Sequence, residues 1–295
     1  MIEQKYADLF SAGAQVGLDV AEREIVLTYV LKILDDAGLL KTHAFKGGTC
    51  LRKCIYGKET RFSVDLDFTS ISDEKPDDVI LATVGAFGKP AYGLSFEVDT
   101  DDFYVSEDKL SCGASVRYKH TWNEGLFKLD ISLREAPSLP LAALPLQHQP
   151  YFKQLEFKPF AIKSFQFEEL LGEKIRAASQ RVRSRDLYDL AKAADKPFKA
   201  PLIRALAVIK CWNVRDAFDP ERFLARLRSS KYDWEDLRQL VRKSEKINPE
   251  NLISTCEKRY RFLLALSENE KRLIADAKRH NLKSLPRILL NEAGA

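Results

Sequence analysis

One segment constrains this chain more than any other: a glycine pair between a short apolar strand pattern and a second strand that carries two carboxylates. It runs Phe45-Lys46-Gly47-Gly48-Thr49, through a helical stretch, to Arg61-Phe62-Ser63-Val64-Asp65-Leu66-Asp67-Phe68. Glycines that open a helix leave backbone N–H groups unhindered at the positive end of the helix dipole, which suits a phosphate. Side chains alternate along a strand, so Asp65 and Asp67 share one face while Leu66 and Phe68 turn toward a core. Two neighbouring carboxylates repel unless a proton or cation lies between them, so the pair points to Mg²⁺ or Mn²⁺. A phosphate cradle followed by a metal-binding carboxylate pair is what nucleotidyl transfer needs.

The rest of the chain reads as two halves. Ile25, Leu27, Val30, Leu31 and Leu34 recur at helical spacing after Asp19-Val20-Ala21-Glu22, which has the form of a capping box, and Gly38 supplies a stop. His43 to Phe45 and Val64 to Phe68 read as strands, and Thr49 to Tyr56 and Pro76 to Phe87 as helices. Leu94 to Val98, Ala114 to Lys119 and Leu126 to Leu133 read as further strands. The last two form a hairpin through Trp122-Asn123-Glu124-Gly125, with Gly125 as the turn residue. The prolines at 137, 140, 145 and 150 mark a loop or edge excursion. From Gln166 the pattern is helical nearly to the end, broken near Arg183-Ser184 and at Pro197, Pro220, Pro249 and Pro286. The expected organisation is α+β: an α/β domain over residues 1–160 and a helical domain over 161–295 that completes an active-site cleft.

Composition narrows the setting. Of the 295 residues 45% are hydrophobic, enough for real cores, and no run of about eighteen apolar residues exists to cross a membrane. The N-terminus lacks the apolar core of a secretory signal, so a cytoplasmic location is expected. The five cysteines form no Cys-x-x-Cys pair, which argues against a zinc ribbon, and Cys50 and Cys54 are expected as buried free thiols. The four histidines are scattered without metal-ligand spacing. Net charge is +4, with acids concentrated over 61–108 and bases at Lys174, Arg176, Arg181, Arg183 and Arg185. That asymmetry suits a polyanionic substrate, but charge alone favours ordinary solvated helix faces.

A third carboxylate sits on the strand Phe127-Lys128-Leu129-Asp130-Ile131-Ser132-Leu133. Its apolar residues face one way and Lys128, Asp130 and Ser132 the other. If that strand lies beside Val64 to Phe68, Asp130 joins Asp65 and Asp67, and three carboxylates suffice for two Mg²⁺ about 3.5–4 Å apart. Ser63 shares the strand face of Asp65. Arg61 braces the aspartates, contacts phosphate, or makes a purely structural ion pair. Lys174 lies among Leu170, Leu171, Ala177 and Ala178, where a cation either meets an anion or snorkels to the stripe's edge. Asp186 and Asp189 follow Ser184, a candidate N-cap, and acids in a first turn are favoured by the dipole alone. Mixed basic and aromatic runs, Arg181-Val182-Arg183-Ser184-Arg185 and Arg259-Tyr260-Arg261-Phe262, are of the kind that binds RNA.

Lys46-Gly47-Gly48-Thr49-x-Leu51, followed by Arg61-Phe62-Ser63-x-Asp65-Leu66-Asp67-Phe68, resembles a signature of the AbiEii family of nucleotidyltransferase toxins, the toxin halves of type IV toxin–antitoxin systems, to which the mycobacterial MenT toxins belong. Glu168-Glu169-Leu170-Leu171-x-Glu173-Lys174-Ile175-x-Ala177 with Arg185-Asp186-Leu187-Tyr188-Asp189-Leu190 resembles the family's second signature. The resemblance spans residues 40–190. It implies a DNA polymerase β-like nucleotidyltransferase fold with a C-terminal helical region. It also implies NTP binding at Lys46, Gly47, Gly48, Thr49, Arg61 and Ser63, and Mg²⁺ or Mn²⁺ at Asp65, Asp67 and Asp130. Asp65, Asp67, Lys174 and Asp186 would be catalytic, with Lys174 on the nucleotide phosphates and Asp186 a base or a polar support. The implied acceptor is tRNA, at its 3′ end, with translation blocked and a cognate antitoxin as partner. Alternatives at the same site are protein nucleotidylation, phosphoryl transfer to a protein, or nucleotide binding without turnover.

Overall fold

Alternation of apolar and polar residues organises the first half of the chain, and helical periodicity the second. The computed structural model describes residues 2–134, 136–229 and 231–295. It divides into two units, residues 1–165 with 239–245, and residues 166–238 with 246–295. The division falls after Phe165, not at 160, because Ala161–Ser164 is a strand of the first unit.

The first unit begins with helices α1 (Gln4–Ala14), α2 (Leu18–Asp36) and α3 (Leu39–Thr42). Strand β1 (His43–Lys46) leads directly into α4 (Gly47–Cys50), which continues as a π-helical turn over Leu51–Tyr56. Strand β2 (Asp65–Ser70) and helix α5 (Pro76–Phe87) follow. Next come β3 (Ser95–Glu97), β4 (Phe103–Val105), β5 (Ser111–Lys119), β6 (Glu124–Ser132), β7 (Ala142–Pro145) and β8 (Ala161–Ser164). The eight strands form one mixed sheet, ordered β3-β5-β6-β2-β1-β8-β7, with β4 also paired to β5. Strands β2 and β6 run parallel with Leu66 opposite Leu129 and Phe68 opposite Ile131. Those four side chains, with Phe45 and Phe127, are buried on one sheet face. Burying each of them contributes about 1.5–3 kcal/mol, which fixes the register: a one-residue slip would exchange them for carboxylates.

Two local expectations fail for the same reason. Gly125 is not the turn residue of the β5–β6 hairpin; it lies inside β6 opposite Tyr118. A Cβ at Gly125 would lie 2.5 Å from Tyr118 Cζ, so glycine here clears space for a ring. The capping box is not formed either. Helix α2 starts after Gly17, and Glu22 is buried, accepting hydrogen bonds from the Tyr118 hydroxyl at 2.8 Å and from His120 Nε2 at 2.7 Å. A buried carboxylate needs such partners, and here they lie nearly a hundred residues away. A neighbouring buried group joins Glu24 to Arg52 and Lys53 at 3.4 and 3.2 Å. Arg52 also donates to Thr60 O at 2.8 Å and stacks over Phe62, tying the π-helical turn to the loop that carries Arg61.

The second unit is built from α6 (Phe167–Gln180), α7 (Ser184–Ala194), α8 (Ala200–Asn213), α9 (Pro220–Ser229), α10 (Trp234–Arg238), α11 (Pro249–Arg259), α12 (Glu268–Ala275) and α13 (Leu285–Glu292). Proline marks helix starts at Pro220, Pro249 and Pro286 because the first turn needs no N–H donor there. Leu171, Ile175, Leu187, Leu190, Ile203 and Val208 form its core with Tyr260 and Leu273. Gly172 permits the approach of α6 to α8, since a Cβ there would come within 2.8 Å of Leu206 Cβ. All five cysteines are free and buried. Among the described residues no helix is long and apolar enough to cross a membrane.

Candidate active site

In the first unit the site grows out of the β1–α4 junction. Gly47 has φ +77°, a left-handed conformation that disfavours any side chain. A Cβ on Gly47 would fall on the Asp67 carboxylate, with Asp67 Cγ only 2.6 Å away. A Cβ on Gly48 would lie 2.7 Å from the Arg61 guanidinium and 3.3 Å from Ser63 Oγ. The glycine pair thus brings a bare backbone against one carboxylate and one guanidinium. Thr49 is fully buried, and its hydroxyl is used inside the fold, within hydrogen-bond reach of Ser63 Oγ at 2.8 Å and of the Asp65 carbonyl. Ser63 is buried likewise. These two hydroxyls brace α4 against the start of β2. Arg61 is buried and donates to Phe62 O at 2.9 Å.

Strand register assembles the carboxylates. Asp67 lies opposite Lys46 on β1 and opposite Asp130 on β6, while Asp65 lies opposite Lys128. Asp65, Asp67 and Asp130 share one sheet face and are each partly exposed, whereas their strand neighbours Leu66, Phe68, Leu129 and Ile131 are buried. Among the described residues no three His, Cys, Asp or Glu side chains already converge as a cation cage. The donor set is nonetheless right for a hard divalent ion, because it is carboxylate oxygen throughout, and Gly47 leaves the space beside Asp67 that a Cβ would fill.

A residue that the sequence patterns do not single out completes this row. The Tyr104 hydroxyl, on β4, donates to Asp130 Oδ1. The available signal is Gly113, an isolated glycine in the alternating strand β5, which marks a close approach.

The second unit holds an ionic cluster. Lys174, on α6, lies 3.1 Å from Asp186 Oδ1 and 2.7 Å from Asp189 Oδ2, both on α7. Arg181 donates to Asp186 at 2.8 and 3.3 Å through Nε and Nη2. Lys174 therefore meets anions and does not snorkel along its apolar stripe. Asp186 is buried, which by itself would push its pKa up. Lys174 and Arg181 outweigh that effect and hold the carboxyl well below the usual range. Ser184 does not cap α7: it is the first helical residue, and its hydroxyl donates to Asp233 O at 2.5 Å. Arg185 makes a bidentate pair with Asp236, at 2.6 Å for each bond.

The histidines split. His43 and His120 are buried beside Glu74 and Glu22, at 3.2 and 2.7 Å. His280 stacks on Trp212 with ring centres 3.5 Å apart.

Comparison with known proteins places this geometry. The family described as "Nucleotidyl transferase AbiEii toxin, Type IV TA system" matches residues 29–241. No curated protein sequence matches the chain. Among solved structures, the chain is similar to MenT4, a nucleotidyltransferase toxin from Mycobacterium tuberculosis H37Rv, with a TM-score of 0.83, 24% identity, and coverage of 98% of this chain and 99% of that one. It is more distantly similar to JHP933 from Helicobacter pylori, with a TM-score of 0.51, 19% identity, and coverage of 92% and 99%. A putative nucleotidyltransferase from H. pylori gives a TM-score of 0.50, 19% identity, and coverage of 86% and 100%. These likenesses establish the fold. Over most of its length the chain carries the AbiEii signature, and it belongs to that family of type IV toxin–antitoxin nucleotidyltransferases.

Proposed function

We propose that the protein transfers a nucleoside monophosphate from an NTP to the 3′ end of tRNA, blocking translation in the cytoplasm until a cognate antitoxin counters it. The observation that carries this reading is the contact of bare Gly47 backbone with Asp67, beside a guanidinium packed on Gly48. Asp65 and Asp67 would hold Mg²⁺ or Mn²⁺, with Asp130 as a third ligand. Such an ion, when bound, neutralises charge on the triphosphate and lowers the pKa of a bound hydroxyl. Arg61, Lys46 and the Gly47–Gly48 amides would take the phosphate oxygens, orienting the α-phosphorus. The acceptor oxygen forms a bond to that phosphorus as its bond to pyrophosphate breaks, and the hydroxyl proton leaves to a base or to water. A carboxylate whose pKa is held low is a weak proton acceptor, so Asp186 suits polar support of Lys174 better than the role of base. Thr49 and Ser63 support the site from within.

The test is incubation of the full chain with Mg²⁺, total RNA and NTPs labelled in the base or in the γ-phosphate, followed by separation of RNA from protein. Base label should enter RNA and the γ-label should leave as pyrophosphate. Asp65→Ala with Asp67→Ala should abolish both. Base label in the protein fraction would move the acceptor to a protein, and γ-label there would indicate phosphoryl transfer. No transfer, or transfer undiminished in the double variant, overturns the reading.

A further inference from the structure

Five residues lie in one row across the sheet of the first unit. Lys46 is opposite Asp67, Asp67 opposite Asp130, Asp130 opposite Gly113, and Gly113 opposite Tyr104. The fourth member has no side chain. Tyr104 and Asp130 stand two strands apart, about 10 Å between backbones, which is too far for most side chains to bridge. With Gly113 between them, the Tyr104 ring lies over the gap and its hydroxyl reaches Asp130 Oδ1. A Cβ on Gly113 would fall on the Leu129 carbonyl oxygen and lie 2.6 Å from Tyr104 Cε1 and 2.9 Å from Asp130 Oδ1, so a side chain there would press on the β6 backbone and also wedge the two apart.

Burial does not explain the arrangement. Tyr104 is 47% exposed, on a three-residue edge strand, and its neighbour Val105 is 41% exposed. A half-exposed phenol contributes little to a core. What it does is restrain one carboxylate: a phenol O–H on one oxygen fixes the carboxyl plane and leaves the second oxygen's lone pairs for another partner. Ligands to metal ions are commonly held in this way by a hydrogen bond behind them. Asp130 is also the member of the acidic set that arrives from a different strand, so its direction is not fixed by the β2 alternation that aligns Asp65 with Asp67.

We propose that Tyr104 is a positioning residue for the metal-binding carboxylates, acting through Asp130 across the gap that Gly113 leaves. The inference rests on the reading that Asp65, Asp67 and Asp130 receive a divalent ion. Tyr104 itself touches neither substrate nor ion. It sets the carboxylate so that ion binding does not have to order it.

The experiment is Mn²⁺ binding to the full chain, followed by electron paramagnetic resonance in the presence of a non-hydrolysable NTP analogue, with thermal unfolding measured on the metal-free proteins. Parent, Tyr104→Phe, Gly113→Ala and Asp65→Ala with Asp67→Ala are compared. Tyr104→Phe keeps the ring and removes only the hydroxyl, so it should unfold at the parent temperature yet bind Mn²⁺ about 10-fold or more weakly. Gly113→Ala should weaken Mn²⁺ in the same direction and also lower the unfolding temperature, because its Cβ parts the pair and meets the Leu129 carbonyl oxygen. If Tyr104→Phe binds Mn²⁺ as well as the parent, or better, while the double aspartate variant does not bind it, the positioning role is refuted and the metal reading stands. If the parent binds no Mn²⁺, or the double variant binds it undiminished, the metal reading fails and takes this inference with it.

Discussion

Gly47→Ala tests whether the glycine pair serves catalysis or only the chain's turn. Two penalties are separable. The first is conformational: a residue with a Cβ at φ +77° loses about 1–2 kcal/mol relative to glycine. The second is steric: the added Cβ would fall on the Asp67 carboxylate, 2.6 Å from Cγ and 2.7 Å from Cβ, all under ordinary contact distance. Asp67 is fixed on β2 between Lys46 and Asp130, so relief must come from shifting its side chain or the α4 backbone by roughly an ångström. A misplacement of that size reduces a reaction rate by about 10²-fold. Gly38 supplies the control: its φ is +84°, but nothing lies within 4 Å of the place a Cβ would take, so Gly38→Ala carries the first penalty alone. Both variants should lose about 1–2 kcal/mol in urea unfolding, with a further increment for Gly47→Ala. In the RNA-labelling assay Gly38→Ala should match the parent, and Gly47→Ala should fall by about two orders of magnitude at saturating NTP. Equal activity of the two variants would refute the claim that the bare backbone at Gly47 makes room for a working Asp67.

Three other outcomes follow from the packing and charges. Lys174→Met removes the cation that lies 3.1 Å from buried Asp186 and 2.7 Å from Asp189, and should destabilise the protein by about 3 kcal/mol in urea unfolding. Asp186 has a folded-state pKa below its unfolded value of about 3.9, so its stabilising effect is complete above that value and fades as pH falls toward the folded one. The stability difference between the parent and Asp186→Asn should therefore be flat near neutrality and narrow below about pH 4 in a pH series of unfolding curves. Gly125→Ala drives a methyl group into the Tyr118 ring and its hydrogen bond to buried Glu22, with an expected loss of about 2–4 kcal/mol on denaturant unfolding and little change in NTP affinity.

Where chemistry repeats at short spacing, it is legible in the sequence. The Asp65-x-Asp67 face, the glycine pair after β1, the span of α5 and the proline-marked helix starts follow from periods of two and 3.6 residues and from the missing N–H of proline. Errors arise where one residue type serves two purposes. Gly125 resembles a turn glycine because turns and ring clearance both require the absence of a Cβ. Asp19 to Glu22 resembles a cap because a capping box and a buried carboxylate both place an acid near a helix start, and only Tyr118 and His120 decide between them. Ser184 resembles an N-cap, yet its hydroxyl goes to Asp233.

The sequence by itself determined the family and the direction in which Asp65 and Asp67 face, since these depend on neighbours within a few residues. Tertiary structure alone decided that Asp67 stands opposite Asp130, that Tyr104 reaches Asp130 over Gly113, and that Lys174 meets Asp186 and Asp189 while Arg181 takes the other side of Asp186. Parallel strand register and helix–helix contact join residues far apart in the chain, and local periodicity carries no information about which distant face each one meets.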